Sequence, residues 1–84
     1  MKTYICYNSL NEPEPFAVIA NSPHGVAEAV TVALTDLCGG VRKGFYRKHN
    51  DVVVKWEDSV GIPFSVYCIP AKVYGGQYAD VNNA

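Results

Sequence analysis

Four of the chain's seven Lys and Arg residues fall between Arg42 and Lys48: Arg42, Lys43, Arg47 and Lys48, with Phe45 and Tyr46 among them. Cations interleaved with aromatics can hold phosphates and stack on bases, and the same composition makes the solvated side of an ordinary strand. The other chemistry-bearing residues are dispersed. His24 and His49 suit proton transfer near neutral pH, which requires a positioned partner that their spacing does not supply. Cys6, Cys38 and Cys68 form no CxxC pattern, and with the two histidines they lack the ligand spacing of a zinc site. Glu12 and Glu14 flank turn prolines in a solvated loop rather than forming a glycosidase pair, and Ser22 and Ser59 have no nucleophile-elbow context. Gly39-Gly40 and Gly75-Gly76 lack the Lys and Ser/Thr of a phosphate loop. The residues therefore point away from an enzyme, a metal centre or a cofactor, and towards binding.

The elements that must position these residues are legible as β-β-α-β-β-β. Thr3 to Asn8 reads as a strand, NEPEP (Asn11 to Pro15) as a turn, and Phe16 to Ala20 as a central strand, apolar on both sides. Ser22 is a good N-cap and Pro23 fits the first helical position. Val26, Val30, Ala33, Leu34 and Leu37 then recur at helical spacing up to the Gly39-Gly40 stop, so the spacing predicts a helix over Pro23 to Cys38. Val30, Thr31 and Val32 weaken its intrinsic propensity, leaving packing on a sheet to stabilise it.

Val41 to Lys48 and Asp51 to Glu57 flank His49-Asn50, a two-residue hairpin loop. Uninterrupted pairing sets Lys48 opposite Asp51, Arg47 opposite Val52, Tyr46 opposite Val53, Phe45 opposite Val54, Lys43 opposite Trp56 and Arg42 opposite Glu57. One face then carries Phe45, Val52, Val54 and Trp56 with Lys43 and Arg47 at its ends, the Lys43 stem covering Trp56; Arg42 and Lys48 share the other face with Tyr46. Splitting the cations in this way weakens the case for a phosphate-binding stripe. Ile62 to Ile69 supplies a further strand with Pro63 at its beginning or on an edge. Val73 and Tyr74 are a potential extension of the sheet, and residues 75–84 read as a frayed tail. The expected fold is α+β, an antiparallel sheet with one covering helix, in a single compact domain over residues 1–84.

Whole-chain properties narrow the function classes. The 84 residues carry a formal net charge of -1 and are 49% hydrophobic, which suits a globular domain and excludes an extensive basic surface. No stretch approaches the roughly 18 apolar residues of a membrane span. MKTYICYNSL lacks a secretory leader's apolar run, and three widely spaced cysteines suit free thiols in a reducing compartment, so the expected location is the cytoplasm.

The order MKTY, FAVIA, an alanine-rich helix, GFYR and GIPFSV resembles small phage-encoded anti-CRISPR proteins acting on type I systems, over roughly Met1 to Tyr67. The resemblance implies a noncatalytic inhibitor in the host cytoplasm that occupies a CRISPR effector surface and blocks target DNA recognition or nuclease recruitment. The first candidate partner-binding surface is the Arg42–Glu57 hairpin, through Arg42, Tyr46, Lys48, Glu57 and Arg47. The alternatives are a small nucleic-acid-binding module using the strand from Arg42 to Lys48, and a structural or accessory domain. An exposed sheet edge also leaves a homodimer open.

Overall fold

In the computed structural model, which describes residues 1–74, the chain folds as β1 (Lys2–Tyr7), β2 (Phe16–Ala20), α1 (Pro23–Leu37), β3 (Val41–Lys48), β4 (Asp51–Glu57) and β5 (Pro63–Pro70). The fold is α+β: one antiparallel sheet in the order β2-β1-β5-β4-β3, with the helix across one face. β5 is the middle strand, joining the β1–β2 hairpin to the β3–β4 hairpin. Pro63 opens it, where its missing amide leaves the ladder intact.

The helix begins and ends as its flanking residues dictate. Ser22 is extended, and its Oγ accepts a hydrogen bond from the Gly25 amide at 3.0 Å, with Pro23 at the first helical position. At the other end Cys38 caps the helix, and the amides of Cys38 and Gly39 both donate to the Leu34 carbonyl as Gly39 turns left-handed, φ 70°. Val26, Ala27, Val30 and Leu34 are buried against Tyr4, Cys6, Val18, Ala20, Val52, Val54, Trp56, Val66 and Cys68 from the sheet. Every strand except the β3 edge gives buried side chains to this core, and β3 packs Phe45 against it.

Three expectations need correction. Phe16–Ala20 is an edge strand rather than a central one, since β1 is its sole neighbour among the described residues and Ala17 and Ile19 are exposed on the side away from the helix. The β3–β4 register runs as expected from Lys48↔Asp51 to Phe45↔Val54 and then slips at a bulge, so that Gly44 faces Lys55, Arg42 faces Trp56 and Val41 faces Glu57. One extra residue, Lys43, inverts the faces of everything N-terminal to it. Lys43 therefore does not cover Trp56. It lies 3.9 Å from Glu57, while Trp56 is buried beneath the end of the helix and donates its indole N–H to the Gly39 carbonyl at 2.9 Å. Finally, Val73 and Tyr74 are not strand residues, although the Ala71 amide still donates to the Thr3 carbonyl. The tail expected over 75–84 lies outside the described residues.

Candidate functional site

Side chains alternate across a strand, and cross-strand partners share a face. The helix covers the face of Tyr4, Cys6, Val18, Val54 and Trp56, which leaves Thr3, Ile5, Tyr7, Ala17, Ile19, Tyr46, Val53, Lys55, Ser65, Tyr67 and Ile69 on the other. No described element covers that second face.

Its composition is unusual for a solvated surface. The register pairs Tyr7 with Tyr67, Tyr67 with Val53 and Val53 with Tyr46, a single row across β1, β5, β4 and β3. The Tyr7 and Tyr67 rings are 5.8 Å apart in a tilted arrangement. Val53 is 1% exposed yet stands apart from the helix-side core, flanked in its row by Tyr67 and Tyr46. Beside the row runs a second one, Ala17, Ile5 and Ile69, followed by Ile19 opposite Thr3. Exposure of Ile5, Ile19, Tyr7, Tyr46, Tyr67 and Ile69 ranges from 36% to 62%. Scattered exposed apolar residues are ordinary, but here they are contiguous across the sheet, the arrangement that marks interaction surfaces.

Charge is confined to one flank. The β2-β1-β5 part of the uncovered face carries no ionisable group other than its tyrosines, whereas β3 and β4 contribute Lys43, Lys48, Lys55, Asp51 and Glu57. The Lys55 ammonium sits 6.0 Å from the centre of the Tyr46 ring. An apolar, aromatic centre with a charged border is the usual anatomy of a protein interface.

The residues singled out from the sequence divide between the two faces. Tyr46, Lys48 and Glu57 belong to the uncovered one. Arg47 lies on the Phe45 side, as the alternation predicts, and its Nε donates to the His49 carbonyl at 2.9 Å. Arg42 joins Arg47 instead of Lys48, because of the bulge. Its guanidinium donates to Glu28 Oε1 from both terminal nitrogens at 3.3 Å and to Thr31 Oγ1 at 3.2 Å, and lies 5.5 Å from the Phe45 ring centre. Arg42 is thus a strap from the edge strand to the helix, with both terminal nitrogens already engaged.

His24 approaches Glu28 at 3.5 Å and meets Phe45 edge-on, and His49 occupies the hairpin loop with φ 56°. Among the described residues no three His, Cys, Asp or Glu side chains converge as a metal-binding group, and no helix is long and apolar enough to cross a membrane. The three cysteines are free. Cys6 and Cys68 are cross-strand partners in the core, and the Cys68 thiol is pushed strongly up by its hydrogen bond with Cys6 and then by burial. Cys38 is raised by burial and by the neighbouring Asp58 carboxylate. Raised thiols are poor nucleophiles.

Sequence reasoning missed Ile5, Ile19 and Ile69 as surface residues, and two polar residues that shape loops. Asn8 is buried: its Oδ1 accepts from the amides of Leu10 and Glu12, and its Nδ2 donates to the Glu12 carbonyl. Asp58 Oδ1 accepts from the amides of Val60 and Ile62, closing the β4–β5 turn. The missed signal for the uncovered face was available. Three strands are apolar at both alternating sets of positions, and one helix can cover only one set. Comparison with protein-family models, curated proteins and solved structures finds no match to this chain.

Proposed function

We propose that this protein is a noncatalytic binding module that docks a partner protein on the uncovered face of its sheet. The observation that carries the reading is the continuous Tyr7–Tyr67–Val53–Tyr46 row beside the Ile5, Ile19 and Ile69 patch, a rigid surface of aromatic and aliphatic anchors built on strands. The lysines on the β3–β4 flank select a partner whose apolar patch is bordered by carboxylates. The likeness to phage-encoded anti-CRISPR proteins supplies the finer form of the proposal: an inhibitor of a bacterial defence complex that occupies a type I effector surface and blocks DNA recognition or nuclease recruitment.

Two experiments test it. Affinity capture from bacterial lysate compares the wild-type chain, a Tyr67→Ser/Ile69→Thr variant altered on the sheet face, and an Arg42→Gln variant altered on the helix side. A specific partner retained by wild type and Arg42→Gln but lost from the double variant supports the docking face. A partner lost only from Arg42→Gln refutes it. In cells with an active type I CRISPR system, expression of the chain is expected to restore phage plating, and the double variant to abolish the restoration. No restoration removes the inhibitor form of the proposal and leaves the docking face to the capture experiment.

A nucleic-acid module has one observation in its favour, the tyrosine row with Lys55 beside Tyr46, since open sheets stack unpaired bases on such rings. The uncharged β2-β1-β5 half favours protein, because a strand-tracking surface needs cations along the backbone path. Salt-sensitive binding of single-stranded oligonucleotides, lost on Tyr67→Ser, would reverse that preference.

A further inference from the structure

A second site lies on the helix side of the sheet, at the end where β1 starts and the β3–β4 hairpin turns. Lys2, Tyr4, Asn21, Ser22, Pro23, Arg47, Asn50 and Val52 line a pocket of about 190 Å³ there. A water molecule's share of liquid volume is about 30 Å³, so the pocket has room for a polyatomic ion.

Four independent features of this pocket have the same electrostatic sense. The N-terminus of the 15-residue helix α1 opens onto it, contributing the positive end of its dipole. Ser22 Oγ takes the Gly25 amide and the Ser22 carbonyl takes that of Val26, which leaves the His24 amide without an acceptor among the described residues. Lys2 and Arg47 bring cations from separate strands, and neither forms an ion pair with a described carboxylate. No carboxylate of the described residues lines the pocket.

The fourth feature is Tyr4. It is only 6% exposed, and its hydroxyl makes no hydrogen bond to any described residue. Since no buried polar side-chain atom is both sealed from solvent and unpaired, the hydroxyl must reach open space, and the space Tyr4 borders is this pocket. The hydroxyl of this largely buried side chain therefore opens into the pocket with no protein acceptor among the described residues, placed to donate to an anion bound there. With Asn21 and Asn50 as further donors, the surroundings are rich in donors and cations and poor in anions.

We propose that this pocket binds a phosphoryl group, as inorganic phosphate or as the terminal phosphate of a small phosphomonoester, with Arg47 and Lys2 supplying charge and the Tyr4 hydroxyl and the first-turn amide supplying directed hydrogen bonds. The site is separate from the uncovered face of the sheet and does not depend on that face docking a protein.

The test is an amide-resolved NMR titration of the full chain with inorganic phosphate and, in parallel, with adenosine monophosphate, at ionic strength held constant with chloride. Saturable shifts at His24, Gly25 and Arg47 are expected, with affinity falling about tenfold or more in Arg47→Gln and in Tyr4→Phe, the loss of one charge-assisted or directed hydrogen bond each. Tyr4→Phe keeps the buried ring and removes only the hydroxyl, and an unchanged spectrum elsewhere confirms that the variant folds. Saturation by phosphate identifies the free ion as a sufficient ligand; saturation by the monophosphate alone assigns the site to the ester. Non-saturating shifts with both ligands, or equal affinities in wild type and both variants, would overturn the proposal.

Discussion

Gly40 shows how tightly single residues are constrained where the helix meets the hairpin. Its φ is 104°, and a Cβ there would collide with the Glu57 carbonyl oxygen and lie 2.7 Å from Asp58 Cα and 2.8 Å from Trp56 Nε1. Backbone cannot yield as a flexible side chain does, so Gly40→Ala is expected to cost about 3 kcal/mol or more, combining the left-handed penalty with overpacking. Urea denaturation checks this, and a loss under about 1 kcal/mol would mean that the joint is soft. Cys68 makes a different residue-scale prediction. Its thiol is raised above the ordinary value of 9.0 in the folded chain, so above pH 9 the unfolded chain loses that proton and the folded chain keeps it. Stability is therefore fully present below pH 9 and falls as pH rises, by up to about 1.4 kcal/mol per pH unit for this group. Measured between pH 8 and about 10, the slope should flatten in Cys68→Ala, which removes the thiol and adds no atoms to the core.

At the scale of elements, the capping of α1 and the phase of β3 matter most. Ser22→Ala removes the acceptor of the Gly25 amide and should destabilise the protein by about 1 kcal/mol, seen as a lower denaturation midpoint with an unchanged slope. That cap was readable directly from Asn21-Ser22-Pro23, as were the element order and the hairpin register from Lys48 back to Phe45, because each rests on local chemistry. The bulge at Lys43 was not readable. Gly44 permits a bulge without demanding one, and what favours it is distant: the slip delivers Arg42 to Glu28 and Thr31 on the helix and leaves Lys43 beside Glu57. Strand order was hidden for a related reason. Phe16–Ala20 reads as doubly buried from its residue types, but the exposure of Ile19 follows from the absence of a second helix among the described residues, a property set beyond the strand itself. Of the five residues singled out on the hairpin, Tyr46, Lys48 and Glu57 share the candidate face, and they sit on its charged flank rather than among its apolar anchors.

The molecule as a whole is two-sided. One face of the sheet is closed by α1 around a continuous core, and the other displays tyrosine and isoleucine to solvent. If the second face is for docking, its residues contribute little to folding. The Tyr67→Ser/Ile69→Thr variant should then stay folded and lose no more than about 2 kcal/mol, within the spread for two partly exposed cross-strand contacts. Thermal denaturation with circular dichroism checks this, and a collapse of the fold would make the face structural. Trp56 gives these experiments an internal control. It is the chain's single tryptophan, fully buried, with its indole bonded to Gly39 on the helix side of the sheet. Its fluorescence should shift to the red when the helix leaves the hairpin and stay constant when a ligand settles on the opposite face. The protein thus carries an optical reporter that separates a variant that has lost its fold from one that has lost only its partner.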